Sequence, residues 1–142
     1  MPRLPAPVKL VVYADGASRG NPGPASIGAT VQDESGQELA TVSRVIGIGT
    51  NNQAEYRAAI EGVRTARQLG ATAIDLRMDS ELVIRQLLGR YRVKNVGLQP
   101  LYAMLVRELE ETGPVTIGHV PRELNKRADA LANAALDGKT PD

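Results

Sequence analysis

The sequence contains no cysteine, phenylalanine or tryptophan, and it has a single histidine. Without cysteine the chain can form neither disulfide bonds nor thiolate metal sites, which suits the cytosol. With four tyrosines as its only aromatic residues, the hydrophobic core must be almost entirely aliphatic. No stretch is apolar enough to predict a membrane-spanning helix, and residues 1–8 lack the apolar core of a signal peptide. We therefore expect a cytoplasmic protein with no membrane partner.

Neither sign of charge dominates the chain. Seventeen Lys and Arg residues face 16 Asp and Glu residues, so the net charge is +1. Binding to nucleic acid would therefore have to rest on local patches of charge. The length of 142 residues fits a single domain with one core. We expect this domain to span residues 9–137, between an N-terminal tail (residues 1–8) and a C-terminal tail (residues 138–142).

The first part of the chain predicts a three-stranded antiparallel meander. Lys9–Asp15 is a nearly continuous apolar run, typical of a central strand that is buried on both faces. Gly16–Pro24 is rich in glycine, proline, serine and asparagine, which predicts a loop. Ala25–Gln32 and Glu38–Ile46 predict two further strands, and the turn residues 33–36 between them predict a hairpin.

From Asn52 onward the apolar spacing becomes helical. A helix is predicted over Asn52–Leu69, and Asn52 with Glu55 resembles a capping box. Later strands are joined through helices, which predicts that they run parallel to the first strand. We expect an α/β fold: a mixed five-stranded sheet, with the antiparallel meander plus two parallel strands, flanked by helices. The later elements are strand Thr72–Met78, a short helix from Ser80 to Leu88, helix Leu98–Glu111, strand Val115–Val120 and helix Arg122–Leu136.

Four acidic residues occupy informative positions. Asp15 ends the first predicted strand and Asp79 follows the fourth, so their side chains would meet if these strands are parallel neighbours. Glu55 lies in the first turn of the long helix, and Asp129 lies on the last helix one turn after Asn125. Taken singly, each acid has an ordinary alternative. The first two could cap turns, Glu55 could cap its helix, and Asp129 could be a solvated helix residue.

Convergence of these acids would imply a metal site. Two like charges about 4 Å apart repel by on the order of 4 kcal/mol at an effective dielectric near 20, so clustered carboxylates need a counter-charge. Mg²⁺ prefers oxygen ligands and retains several waters, which suits a few carboxylates together with substrate phosphate oxygens. Two such ions can activate a water and stabilise the leaving oxygen of a phosphodiester. The chain contains no Gly-rich phosphate loop of the P-loop type.

Four segments, in order along the chain, resemble type 1 ribonuclease H. The family's Asp-Gly-Ser/Ala and Gly-Asn-Pro-Gly motifs match Tyr13–Gly23, and its Thr-Asn-Asn-x-x-Glu motif matches Thr50–Glu55. Its Thr/Ser-Asp-Ser motif is similar to Met78–Ser80, and its final His, Asn and Asp spacing is similar to His119–Ala132. Each match alone is weak, but four in register across Lys9–Leu136 are specific. The resemblance implies a ribonuclease H-like fold.

The resemblance also implies an activity. Family members are endonucleases that hydrolyse the RNA strand of RNA–DNA hybrids and leave 5′-phosphate and 3′-hydroxyl ends. Asp15, Glu55, Asp79 and Asp129 match the four acids that bind two Mg²⁺ ions when substrate is present, with Mn²⁺ as a substitute. His119 matches a loop histidine that assists proton transfer or product release. As a lone histidine after a strand, its ordinary alternative is a surface residue. We further expect a monomer.

Other matched residues would bind the substrate. Asn21, Asn51 and Asn52 match family residues that contact the minor groove of the hybrid, where neutral amides can reach 2′-hydroxyls. As alternatives, Asn21 could serve the turn before Pro22, and the other two could cap the helix. Thr50 and Asn95 match part of a pocket for a phosphate of the DNA strand.

The sequence departs from the family's well-known bacterial members after the third helix. Those members carry a basic, tryptophan-bearing protrusion, whereas the connection here is the short segment 88–95, so the chain resembles the form that lacks it. From residue 82 to residue 106 there is no acid, and a basic patch could follow a phosphate backbone there. Its alternative is a chance cluster on a solvated surface. The basic residues of this segment are Arg85, Arg90, Arg92 and Lys94.

Two smaller departures concern charge near the site. Ile48 stands where some members have an arginine beside the phosphate pocket. Glu81 stands where many have a glutamine, which adds a negative charge. Two other functions remain open from sequence: a module that grips hybrid without cutting it, and a nuclease that also cleaves double-stranded RNA. The complete set of four acids argues against the first.

Overall fold

The computed structural model describes residues 7–139, and the predicted tails therefore fall mostly outside the described residues. No helix in this range is both long and apolar enough to cross a membrane. The elements, in chain order, are β1 (Lys9–Ser18), β2 (Gly23–Gln32), β3 (Glu38–Gly49), α1 (Asn51–Gln68), β4 (Ala73–Met78), α2 (Glu81–Leu87), α3 (Gln99–Thr112), β5 (Val115–His119), the 3₁₀ turn Arg122–Leu124 and α4 (Lys126–Leu136).

The five strands form one sheet in the order β3-β2-β1-β4-β5. β2 runs antiparallel to both β1 and β3, while β4 is parallel to β1 and β5 is parallel to β4. The predicted mixed sheet, with its meander and two parallel strands, is therefore confirmed. β1 is the central strand, which explains why its side chains are buried almost without interruption.

Helices cover both faces of the sheet. A Cβ added to Gly62 would lie 2.7 Å from the Val12 side chain, so α1 packs closely on that face. On β2, a Cβ at Gly28 would overlap the backbone of α4 at Ala128 and Ala132, which places α4 on the opposite face. The buried aliphatic residues of β1, β4, α1 and α3 form one continuous core. Ile74, Leu76 and Met78 alternate along β4, which predicts that they share one apolar face, and each is at most 1% exposed.

The prediction of a loop over Gly16–Pro24 is wrong at both ends. β1 continues to Ser18 and β2 begins at Gly23, because the last residues of β1 pair with β2 up to Ser18 opposite Ala25. The third strand likewise extends three residues beyond the predicted Ile46. Pairing between neighbouring strands, which local composition does not reveal, overrides the turn-forming composition here.

The predicted capping box is also wrong in its residues. Thr50 is the N-cap of α1, and its side chain accepts a hydrogen bond from the Gln53 backbone N–H at 3.1 Å. The Gln53 side chain in turn accepts from the Thr50 backbone N–H at 2.9 Å. Because the helix begins one residue earlier than predicted, the box comprises Thr50 and Gln53, and Glu55 has no part in capping.

The last helix is shorter than predicted. Residues Arg122–Leu124 form a 3₁₀ turn, and α4 begins only at Lys126. The apolar spacing of the predicted helix would direct Leu124, Ala128 and Leu131 towards the core, but Leu124 is 65% exposed and only Ala128 and Leu131 are buried. The interruption lies at the N-cap residue Asn125, whose backbone leaves the helical region (φ −118°, ψ 22°).

Candidate metal centre

The sheet brings Asp15 and Asp79 to adjacent positions. Ala14 on β1 pairs with Met78, the last residue of the parallel strand β4, and the two acids are the residues that follow this pair along the chain. The sequence predicted that these two side chains would meet if the strands were parallel neighbours. The observed register of β1 and β4 meets that condition. Asp15 lies within β1 rather than at its end, since the strand continues to Ser18.

Close packing of α1 on β1 brings in Glu55. A Cβ added to Gly16 would overlap the backbone of Ala54 and Glu55, so glycine at this position permits the approach. One carboxylate oxygen from each of Asp15, Glu55 and Asp79 lies within 4.8 Å of the other two. Three of the four predicted acids thus form a compact group of oxygen ligands.

Asp129 joins the same site from α4. Asp129 interacts with Asp15 and contributes to the raised pKa of that residue, and Asn133 donates from Nδ2 to Asp129 Oδ1 at 3.2 Å. All four acids line one cleft of about 490 Å³ at this edge of the sheet. Its other lining residues are Gly16, Ala17, Ser18, Asn51, Arg122 and Asn133.

The cluster strongly disfavours full ionisation without a cation. Burial raises the pKa of Asp15 to about 9, and the charges of Glu55 and Asp79 and the hydrogen bond with Asp129 act in the same direction. Burial likewise raises the pKa of Glu55 to about 7, with the charge of Asp79 adding to the rise and a hydrogen bond with Ser80 opposing it. The site therefore needs an external positive charge to hold all of its carboxylates ionised.

One buried oxygen atom of the cluster is available for such a charge. Glu55 Oε2 is buried and has no hydrogen-bond donor among residues 7–139. Buried acceptors without a partner are costly, and a hard cation satisfies them. A donor set of clustered carboxylate oxygens, with no thiolate or imidazole in the group, fits Mg²⁺ or Mn²⁺.

Asn125 fixes the geometry of this edge. Its side chain is 1% exposed and donates from Nδ2 to Ala14 O at 3.0 Å and to Asp79 Oδ1 at 3.3 Å. One amide therefore ties the N-terminus of α4 to β1 and orients the carboxylate of Asp79.

His119 lies apart from the acids. It is the last residue of β5, it is exposed, and it pairs in register with Met78. Its side chain does not line the acid cleft. The structure therefore places this residue at the same edge of the sheet as Asp79, one strand further out.

The predicted minor-groove residues lie together at the start of α1. Asn21, in the loop after β1, accepts a hydrogen bond at Oδ1 from the Asn51 backbone N–H at 3.1 Å. Asn51 and Asn52 are exposed in the first turn of the helix, and Asn51 also lines the acid cleft. Three amide side chains are thus presented to solvent beside the four acids.

Thr50 and Asn95 lie on two segments of the chain that both contact the side chain of Gln53. Thr50 forms the capping box with Gln53, and Asn95 Oδ1 accepts from the Gly97 backbone N–H at 2.8 Å. A Cβ added to Gly97 would lie 3.2 Å from Gln53 Nε2, so the segment of Asn95 packs against the capping residue of α1. Ile48, two residues before Thr50, is 74% exposed.

The predicted basic patch lies on the connection between α2 and α3, which contains no helix. Arg90, Arg92 and Lys94 are exposed there and make no side-chain hydrogen bond or ion pair within the described residues. Arg85 differs, because it pairs with Glu81 and donates to the Tyr91 hydroxyl at 2.8 Å. The added negative charge of Glu81 is therefore partnered within α2.

Sequence reasoning did not single out two residues that line the cleft, Arg122 and Asn133. Asn133 follows Asp129 by four residues, a spacing that places both side chains on one face of a helix. The contact between them could therefore have been predicted from the sequence. Arg122 lies in a segment predicted as helix, and only the observed 3₁₀ turn brings it to the acids.

Comparison with known proteins agrees with this arrangement. The family described as "Reverse transcriptase-like" matches residues 13–135. Ribonuclease HI of Halobacterium salinarum is 45% identical over 129 residues, which cover 91% of this chain and 65% of that protein. A bifunctional protein of Mycobacterium tuberculosis is 44% identical over 131 residues, which cover 92% of this chain. This chain spans only 36% of that relative's length.

Solved structures give the same result. The crystal structure of LC11-RNase H1 in complex with an RNA/DNA hybrid has a TM-score of 0.86 and 40% identity, and the match covers 91% of this chain and 97% of that one. At 40% sequence identity, this match supports common family membership as well as a common fold. With the matched segments in order, the sheet topology and the clustered acids, the chain belongs to the type 1 ribonuclease H family.

Proposed function

We propose that this protein hydrolyses the RNA strand of RNA–DNA hybrids at the acid cleft. The observation that carries the proposal is the clustering of Asp15, Glu55 and Asp79, whose oxygens lie within 4.8 Å of one another, with Asp129 in the same cleft. Support for the substrate comes from a related structure, 40% identical, whose described ligand is an RNA/DNA hybrid. The domain responsible would span residues 9–137.

The four acids would hold two Mg²⁺ ions when substrate is bound, with Mn²⁺ as a substitute. Bound cations supply the positive charge that activates a water and stabilises the leaving oxygen of the phosphodiester. Asp15 and Glu55 would give up their protons as the cations bind, because both pKa values are raised without them. Asn125 holds Asp79 in place through its Nδ2 donor. Hydrolysis would leave a 5′-phosphate and a 3′-hydroxyl.

His119 would act on protons or on product release from the edge of the site. It is exposed at the end of β5, where its side chain can move without disturbing the core. An imidazole can both accept and donate a proton near neutral pH, so it suits transfer to the leaving oxygen. Because it does not line the acid cleft, its loss should slow turnover without removing the metal site.

The hybrid would be recognised by its two strands separately. Asn21, Asn51 and Asn52 would contact the minor groove, where a ribose 2′-hydroxyl marks the RNA strand. Thr50 and Asn95 would bind a phosphate of the DNA strand, and their segments are already held together around Gln53. The basic patch of Arg90, Arg92 and Lys94 would follow the nucleic-acid backbone. We expect the enzyme to act as a cytoplasmic monomer.

A cleavage assay with end-labelled hybrid, duplex RNA and duplex DNA in Mg²⁺ or Mn²⁺ tests the proposal. We expect cuts in the RNA strand of the hybrid, lost in Asp79→Asn while Ca²⁺-supported binding of the hybrid remains. Asp75→Asn is the matched control, since Asp75 lies on β4, which leads into Asp79, but pairs with Arg77 and does not line the cleft. Cutting of duplex DNA at the same rate, or a fully active Asp79→Asn, would contradict the mechanism. Cutting of duplex RNA would widen the substrate class.

A further inference from the structure

Helix α4 and its two cap residues carry a polar side chain at every fourth position, from Asn125 through Asp129 and Asn133 to Asp137. This spacing places the four side chains along one side of the helix. The first donates to Asp79 Oδ1, and the third donates to the carboxylate of the second. The first three members therefore hold the metal centre together. Asp137, the C-cap residue, does not line the acid cleft and must serve something else.

The partner of Asp137 is Arg19, which lies in the loop of residues 19–22 between β1 and β2. Arg19 Nη1 lies 2.6 Å from Asp137 Oδ1, and this hydrogen bond holds the pKa of Asp137 below its usual value. The two side chains are 49% and 37% exposed, and ion pairs exposed to this degree contribute little to the stability of a fold. The pair therefore matters chiefly through what the loop carries.

The same loop is also fastened to the α1 side of the sheet. Its Asn21 accepts at Oδ1 from the Asn51 backbone N–H at 3.1 Å, at the start of α1. Immediately before the loop, Ser18 Oγ donates to Gly49 O at 2.8 Å. The ion pair adds a contact with α4, on the opposite face of the sheet. The loop is thus held between the two helices that supply acids to the metal centre.

We propose that the ion pair between Arg19 and Asp137 positions Asn21 against the minor groove of the hybrid, a role that rests on the proposed function. Arg19 and Asp137 are then positioning residues, which act on the substrate through the loop. The metal ligand Asp129 and the anchor Asp137 lie on one helix, separated by about 12 Å along its axis. A rigid element therefore sets the distance between the metal centre and the minor-groove contact.

The alternative is that Arg19 binds the nucleic-acid backbone directly and that Asp137 is an incidental surface acid. The two explanations predict opposite signs for Asp137→Ala. If charge alone acts, removing a negative charge beside a polyanion should strengthen binding of the hybrid. If Asp137 positions the loop, its removal should weaken binding although the net charge becomes more favourable. The direction of the change therefore separates the two explanations.

The first test measures steady-state cleavage of labelled hybrid in Mg²⁺. We expect Asp137→Ala to raise KM by about three- to tenfold with kcat within about twofold of wild type, because the metal site is intact and only binding is lost. Asp137→Glu keeps the carboxylate and should restore most of the loss. Glu111→Ala is the matched control, since it removes a similarly exposed carboxylate that pairs with Arg107 on α3, and it should leave KM within about twofold.

The second test asks whether the pair acts through Asn21. Ca²⁺-supported affinity for hybrid is measured for wild type, Asn21→Ala, Asp137→Ala and the double variant. Asp137→Ala should weaken wild type by about three- to tenfold but change the Asn21→Ala background by less than about twofold. Single 2′-deoxy nucleotides are then placed along the RNA strand. At the position where this change costs wild type affinity, both single variants should show a smaller loss.

The outcomes separate the positioning role from the proposed function. If wild type neither binds nor cuts hybrid, the proposed function is overturned, and the positioning role fails with it. If wild type cuts hybrid but Asp137→Ala leaves KM unchanged or lowers it, only the positioning role is overturned. An equal loss of affinity with and without Asn21 would also overturn it. Because the pair is exposed, we expect all Asp137 variants to melt within a few degrees of wild type.

Discussion

Helix α1 carries acidic residues in two contrasting environments. In the C-terminal half of α1, Glu61 pairs with Arg44 and Arg64. At the interface with α3, Glu108 of α3 accepts hydrogen bonds from Arg64 at 3.0 Å and from Arg67 at 2.6 Å, both on α1. In its first turn, Glu55 meets Asp15 and Asp79, and none of these three acids has an arginine or lysine partner within residues 7–139.

The pKa values express the difference. Burial alone would raise the pKa of Glu108, but hydrogen bonds from Arg64 and Arg67 outweigh it and hold the pKa below its usual value. At the cleft, burial and like charges act together and raise the pKa of Asp15 to about 9. The arginine-paired acids are balanced by the protein itself, whereas the cleft acids are arranged for charge that arrives from outside.

The largest expected effect separates the two environments by activity. Glu55→Gln should reduce hybrid cleavage by at least about 100-fold, because it removes a charged oxygen ligand from the metal site. Glu108→Gln, the same substitution in the arginine-paired region, should leave kcat/KM within about twofold. Steady-state cleavage of labelled hybrid in Mg²⁺ measures both. Comparable losses in the two variants would remove the functional distinction between the regions.

Stability should change in the opposite direction. In the absence of metal at pH 8, Asp15→Asn should raise the free energy of unfolding by on the order of 2 kcal/mol, because it removes a buried carboxyl held among like charges. Glu108→Gln should lower it by about 1 kcal/mol, since it breaks pairs with Arg64 and Arg67. Urea unfolding in EDTA measures both, and a destabilised Asp15→Asn would contradict the account of the cleft.

The pH dependence of stability sharpens the comparison further. The pKa of Asp15 in the folded protein, about 9, lies above its ordinary value of 3.8, so the folded state binds this proton more tightly than the unfolded state. The stabilising contribution is fully present below pH 4 and is lost as the pH rises towards 9. Metal-free wild type should therefore lose stability relative to Asp15→Asn between pH 5 and pH 8.5. Thermal melts at several pH values test the sign.

Added Mg²⁺ should have its own pH dependence in the same melts. Because the cation competes with the proton at the cleft, it should raise the melting temperature of wild type more at pH 8.5 than at pH 5. The Glu108→Gln variant should show the wild-type response to Mg²⁺. A response to Mg²⁺ that is equal at both pH values would indicate that the cleft acids do not bind the ion.

The smallest expected effect is on hybrid binding, and it concerns basic side chains that have no carboxylate partner within residues 7–139. Changing Arg90, Arg92 and Lys94 together to alanine should weaken hybrid binding by about tenfold at low salt and flatten its salt dependence, because fewer counterions are released. Turnover at saturating hybrid should be nearly unchanged. Arg107→Ala serves as the comparison, since its guanidinium already pairs with Glu111. An unchanged salt slope in the triple variant would exclude the patch from hybrid binding.

Much of this architecture could be predicted from the order of motifs. Periodicity identified every strand and helix, and chain order placed Asp15, Glu55, Asp79 and Asp129 in the segments where the structure has them. Local signals failed where a neighbouring element decides the outcome. The turn-like residues after Asp15 continue β1 because β2 pairs with them. The start of α1 is set by Thr50 and Gln53, which bond to each other rather than through Asn52.

The sequence by itself determined the element order and the presence of four acids in segments that resemble one family, because side-chain periodicity and motif spacing are local properties of the chain. Only the tertiary structure decided that three of their carboxylates lie within 4.8 Å of one another. That distance depends on the β1–β4 register and on the approach of α1 over Gly16. The tertiary structure also places Arg122 at the cleft, on a 3₁₀ turn that precedes Asn125, whose buried side-chain amide donates to Ala14 O on β1. Long-range pairing and packing set these distances, and no local pattern records them.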